Sequence, residues 1–98
     1  AGSVLGLEFP PGSSRLSDSQ RDQIRRTAAI FDRQDSRVRV VGVWLREADR
    51  RIARARAQVV AGEIIRQGVP ASRVDIRDGL SPGGSAPVGN RVEILVDY

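Results

Sequence analysis

Cysteine, histidine and lysine are absent from this chain of 98 residues, and aromatic side chains make up only 4% of it. Without cysteine there is no disulfide framework and no thiolate metal site. The redox compartment stays open, because a periplasmic domain without cysteine is as allowed as a cytosolic one. Without histidine, imidazole triads, His-ligated zinc and a histidine pH switch are excluded by composition. With so few aromatics, the core has to be built from Val, Ile, Leu and Ala. No apolar run is long enough to span a membrane as a helix, and no signal peptide is visible. Residues 1–3, Ala1-Gly2-Ser3, have the composition of a cloning remnant. Any export signal, lipid anchor or span is expected to have preceded them.

What is present reads as one small globular domain over residues 1–98, with 40% apolar and 29% charged residues. A chain this short buries a thin core, so each element must pack well. The net charge is +4, from 16 basic and 12 acidic residues, and every basic residue is Arg. Guanidinium forks suit carboxylates and phosphates, but here they are spread among acids, the pattern of a GC-rich genome, and the charge argues only weakly for nucleic acid. The densest group, Arg46, Arg50, Arg51 and Arg54, is interrupted by Glu47 and Asp49 and has no interleaved aromatics. It reads as a solvated helix face, with Glu47 and Arg51 at favourable spacing, and no nucleic-acid partner is expected.

Residues 4–9 read as a first strand, stopped by Pro10-Pro11-Gly12. Ser17 then opens a helix. Ser17 and Gln20 have the spacing of a capping box, Asp18 places negative charge in the first turn, and Ile24, Ala28 and Phe31 recur at helical intervals until the pattern fades near 34–36. Residues 37–44 read as a second strand, alternating at Val38 and Val40 and then more uniformly apolar. A second helix is predicted over 47–67. Ala53, Ala57, Val60 and Ile64 form its buried stripe, with Ile52, Val59 and Ile65 beside it, and Gly68 and Pro70 end it. Residues 73–77 form a third strand, 78–90 a long Gly/Ser/Pro loop of the kind that is often functional or mobile, and 91–98 a last strand. The order is β-α-β-α-β-β, in which crossover helices must pack on a sheet.

With those elements in place, particular residues resemble the OmpA-like (outer-membrane-protein-A, peptidoglycan-associated) domain family. The matching pieces are Phe9, Gly12-Ser13 and Leu16-Ser17 at the first helix and Gly42 after the second strand. Arg56-Ala57 lies in the second helix, Gly68-Val69 after it, and Arg91-Val92-Glu93-Ile94 in the last strand, where Gly89 and Asn90 stand at the family's preceding Asn and Arg. The likeness runs over nearly the whole chain. A second likeness, in the Ala/Arg-rich helix, the Gly-Val-Pro turn and Ala86-Pro87, is to lipoproteins of bacterial pilus assembly. The OmpA resemblance implies an α/β (α+β) two-layer sandwich, with a mixed four-stranded sheet and two helices on one face. It also implies a non-enzymatic binding module of the bacterial envelope, in the periplasm at the outer membrane or cell wall, without cofactors.

The family binds the diaminopimelate side chain of peptidoglycan, which carries both an ammonium and a carboxylate. Its pocket therefore pairs an acid with a guanidinium. Here the resemblance places the guanidinium at Arg56. The acid's position falls at or near Leu45, which cannot hold an ammonium, and the loop 45–49 is shorter than usual. Losing one charge of such a pair removes roughly a hundredfold or more in affinity. The chain is accordingly expected to bind peptidoglycan weakly or not at all. Either Asp49, seven residues and hence one face from Arg56, rebuilds the pocket with Arg56 and Arg91, or Glu47 and Asp49 are helix-start acids favouring the dipole. Trp44 reads as a stacking platform, as core packing, or as a half-exposed contact for a partner protein together with Leu45. The last of these implies the alternative function, a protein-interaction module of a secretion, pilus or envelope assembly. No nucleophile with a plausible base is found, so catalysis is not expected.

Overall fold

The computed structural model describes residues 2–31, 36–81 and 89–97. It contains strand β1 (Gly2–Glu8), helix α1 (Asp18–Phe31), strand β2 (Arg37–Val43), helix α2 (Arg50–Arg66), strand β3 (Val74–Gly79) and strand β4 (Arg91–Asp97). The sheet order is β1-β4-β2-β3, with β4 antiparallel to both neighbours and β2 parallel to β3 across α2. This is the mixed four-stranded sheet expected from the sequence.

Strand alternation decides which side chains meet the helices. Leu7, Val38, Val40, Val92, Ile94 and Val96 form one buried cluster with Ile24 and Phe31 of α1 and Ala57, Val60, Ala61 and Ile64 of α2. Both helices therefore lie on the same face. Val41, Val43 and Leu95 form a separate small cluster on the opposite face. There, Arg37 grips Asp75 and Arg39 grips Asp97, each through two hydrogen bonds of 2.8–3.1 Å.

The start of α1 follows its sequence signature. The Ser17 N–H donates to Gln20 Oε1 at 3.0 Å and the Gln20 N–H donates to Ser17 Oγ at 3.1 Å. This is the reciprocal capping box. Ser17→Ala is expected to lower stability by about 1 kcal/mol, read as a fall in the urea midpoint at constant slope; an unchanged midpoint would contradict the assignment. The predicted fading of α1 falls mostly on 32–35, outside the described residues.

Several boundaries differ from the sequence expectation: β1 covers Gly2–Glu8 and not 4–9, and β2 ends at Val43 and not at 44. The second helix does not begin at Glu47: Glu47–Asp49 form a 3-10 turn, and α2 proper runs over Arg50–Arg66. Neither Arg46 nor Asp49 makes a side-chain cap, so the first turn closes in the tighter form, with the Asp49 N–H on the Arg46 carbonyl at 2.9 Å. A second 3-10 turn, Ala71–Arg73, precedes β3. Finally, Asp78 and Gly79 belong to β3 and not to the following loop, because Gly42 and Val43 of β2 pair with them. Residues 82–88 of that loop, and Tyr98, lie outside the described residues.

Gly42 sets how close α2 can come to the sheet. A Cβ there would sit 2.6 Å from the Ala53 carbonyl carbon and nearer still to its oxygen. The backbone of α2 thus rests directly on β2. At the far end, Gly68 has φ +113°, the conformation an L side chain resists, and it turns the chain out of the helix.

Candidate functional site

The end of β2, the first turns of α2 and the entry to β4 meet at one edge of the fold. They enclose a cleft of about 280 Å³ lined by Val43, Trp44, Leu45, Arg46, Asp49, Arg56, Gly89 and Asn90. The helical step from Asp49 to Arg56 does bring both to this cleft, as their spacing implies. Leu45, 47% exposed, forms its rim. The Asp49 carboxylate is half-exposed and accepts a hydrogen bond from Arg46 Nε at 3.2 Å.

Arg56 is the cleft's floor, and it is only 1% exposed. Its Nε donates to the Ser13 carbonyl at 2.7 Å, Nη1 to Asn90 Oδ1 at 3.0 Å and Nη2 to the Pro10 carbonyl at 3.1 Å. The guanidinium also lies 5.4 Å from the centre of the Phe9 ring. Burial pushes its pKa down from the ordinary arginine value, and the Asp49 carboxylate pushes it back up. Even so, arginine remains a cation in proteins. One N–H on each of Nη1 and Nη2 has no acceptor among the described residues. A guanidinium can in general pair two such N–H groups with the two oxygens of a carboxylate.

Arg91 is not brought to this cleft. Val92 faces the helices, so Arg91 and Glu93 point to the other side of the sheet. There the Arg91 guanidinium lies across Gly6, where a Cβ would fall 2.5 Å from its Cζ, with Glu8 at 4.0 Å and Glu93 at 3.9 Å. The place expected for Arg91 is taken by its neighbour Asn90. Asn90 stands at the second position of the same motif, where the family has Arg.

Trp44 is half-buried, and its indole is engaged within the fold. Its indole N–H donates to Asp78 Oδ1 at 2.9 Å, and the Arg50 guanidinium stands 5.9 Å from its ring centre. Arg50 Nε and Arg54 Nη1 each donate to the same carboxylate at 3.1 Å. Two members of the arginine group expected to be solvated are therefore anchored to β3, and Glu47 pairs with Arg50 at 3.7 Å instead of with Arg51. Asp78 was also legible in principle: it shares strand parity with Val74 and Ile76, which puts a carboxylate on the face under an arginine-rich helix.

This node has a pH signature. The Asp78 carboxyl is held below the usual carboxylate range by the Trp44 N–H and then by Arg54 and Arg50, against burial, which pushes it up. Arg37 does the same for Asp75, and Arg39 for Asp97. A depressed folded-state pKa contributes stability that is complete above the unfolded value and is lost as the pH falls through the folded one. The urea midpoint, followed by Trp44 fluorescence, is therefore expected to hold down to about pH 5 and to decline below about pH 4. Asp78→Asn should lower the midpoint near neutrality and flatten that decline. A wild-type midpoint unchanged into strong acid would contradict the node.

Among the described residues there is no cluster of acidic side chains able to hold a metal ion, and no helix is long and apolar enough to cross a membrane.

At the level of sequence, no curated protein matches the chain. Solved structures do share its fold. The C-terminal domain of Helicobacter pylori MotB superposes with a TM-score of 0.77 at 20% identity, over 97% of this chain and 85% of that one. The OmpA-like domain of FopA1 from Francisella tularensis gives 0.73 at 21% identity, over 93% and 70%. The peptidoglycan-associated lipoprotein from Burkholderia pseudomallei gives 0.76 at 12% identity, over 94% and 89%. At such identities the likeness speaks for fold alone. Membership comes from the sequence itself, which fits the model of the OmpA family over residues 8–87, from the end of β1 to within a few residues of β4: the chain belongs to the OmpA family.

Proposed function

We propose that this domain is a non-enzymatic binding module of the bacterial envelope, acting in the periplasm, that holds the diaminopimelate-bearing peptide of peptidoglycan weakly. The observation that supports this reading is the shared cleft of Asp49 and Arg56, an acid and a guanidinium set to receive an ammonium and a carboxylate. Two features support weak binding. Leu45 stands where the family places its acid, and Asp49 is already partly neutralised by Arg46.

The test is retention on purified sacculi of the diaminopimelate type. Leu45→Asp returns a carboxylate to the rim and should raise affinity about tenfold or more, while Asp49→Asn should weaken it by a similar factor. If neither the wild type nor Leu45→Asp is retained, the peptidoglycan reading is wrong. The exposed Leu45 would then favour the second reading, a contact surface for another envelope protein in an assembly.

A further inference from the structure

The anchors of Arg56 are not equivalent. Two are backbone carbonyls, Pro10 and Ser13, from the loop between β1 and α1. The third, Asn90, is a side chain. Asn90 is also the one described non-glycine residue with positive φ, +56°. In that left-handed conformation, which Asn adopts more readily than other side chains, its own carbonyl accepts the Phe9 N–H at 2.9 Å. Its amide is then turned onto the Arg56 guanidinium. The atom facing Nη1 must be the amide oxygen, because arginine can only donate. Asn90 is an exposed residue, so this geometry is not imposed by core packing around it.

We infer that Asn90 is the positioning residue of the cleft: it orients Arg56 without neutralising it, so that one N–H on each terminal nitrogen stays available to a ligand carboxylate. This rests on the cleft reading above and adds to it a reason for the residue type. An uncharged acceptor fixes the guanidinium and leaves its charge for the ligand. A carboxylate at the same place would fix it equally well but would compete with the ligand for it. Glycine would keep the backbone conformation and let the guanidinium go.

Two variants separate these roles. In the ligand-free protein, Asn90→Gly should increase the motion and solvent exchange of the Arg56 side chain, read by ¹⁵N relaxation at Nε–Hε, while Asn90→Asp should leave it as ordered as in the wild type. In titrations with a diaminopimelate-containing tripeptide, both variants should bind about tenfold or more weakly than the wild type. For Asn90→Asp, that loss should come with an unchanged or raised urea midpoint, a combination that a purely structural role does not produce. Wild-type affinity in Asn90→Asp, or an Arg56 as ordered in Asn90→Gly as in the wild type, would overturn the inference. A wild type that binds no tripeptide would instead remove the cleft reading, and the Arg56 relaxation of the ligand-free variants would still decide whether Asn90 holds it.

Discussion

Replacing Arg56 by alanine is expected to destabilise the fold by roughly 3–5 kcal/mol, a large part of the stability of a domain this size. The side chain is fully buried and ties together three separate pieces of chain: the loop after β1, helix α2 and the entry to β4. Its removal leaves the Ser13 carbonyl and the Asn90 amide oxygen without this donor, and leaves the Pro10 carbonyl with only the Ser13 N–H. Each such acceptor costs about 1–3 kcal/mol if it stays dry, and the vacated volume beside Phe9 adds to the loss. Arg56→Met would fill much of the space but still orphan the acceptors, so it should recover only part of the stability. Urea unfolding followed through Trp44, the only tryptophan, measures both. A loss below about 1 kcal/mol for the alanine variant would mean that the network carries little of the fold. The size of this effect also makes Arg56→Ala a poor probe of ligand binding, since lost affinity and lost structure would coincide. Leu45 and Asn90, at the rim of the cleft, are the informative positions.

Valine at Gly42 should be at least as damaging, by about 3 kcal/mol or more. The obstacle to a Cβ there is the Ala53 backbone, which cannot rotate aside as a side chain would. To admit even a methyl group, α2 has to lift from β2, opening the contact that buries Val38 and Val40 under Ala57 and Val60. At roughly 4–8 °C per kcal/mol for a domain of this size, the melting temperature should fall by about 15 °C or more. Because α2 carries Arg56 and follows directly on Asp49, any surviving folded fraction should also have a distorted cleft. A Gly42→Val protein melting within about 3 °C of the wild type would show that the close approach is not needed.

The order of elements and the helix-bearing face could be read from the sequence because they depend on local pattern. The Ser17–Gln20 box, the alternation at Val38 and Val40 and the Ala53–Ala57–Val60–Ile64 stripe each specify one element and its buried side. Motif likeness likewise singled out Arg56. It misplaced Arg91, because a motif fixes neighbours along the chain and a strand sends neighbours to opposite faces. Asn90 and Arg91 are adjacent in sequence and serve different sides of the sheet. The Asp78 node was missed for a related reason. Its partners lie 24–34 residues away on β2's end and on α2, and only the parallel register of β2 with β3 brings them together. That register also carried β3 two residues beyond its expected end.

The proposed function requires Arg56 to be a ligand-facing cation although it is built into the fold. The most direct test compares two tripeptides of the peptidoglycan type that differ only in carrying diaminopimelate or lysine. The lysine side chain keeps the ammonium and lacks the carboxylate that Arg56 would hold. Weak, saturable binding of the diaminopimelate peptide is expected, with the Arg56 Nε–Hε resonance shifting along the titration, and at least about tenfold weaker binding of the lysine peptide. Equal affinity for the two peptides, or saturation without any change at Arg56, would contradict it.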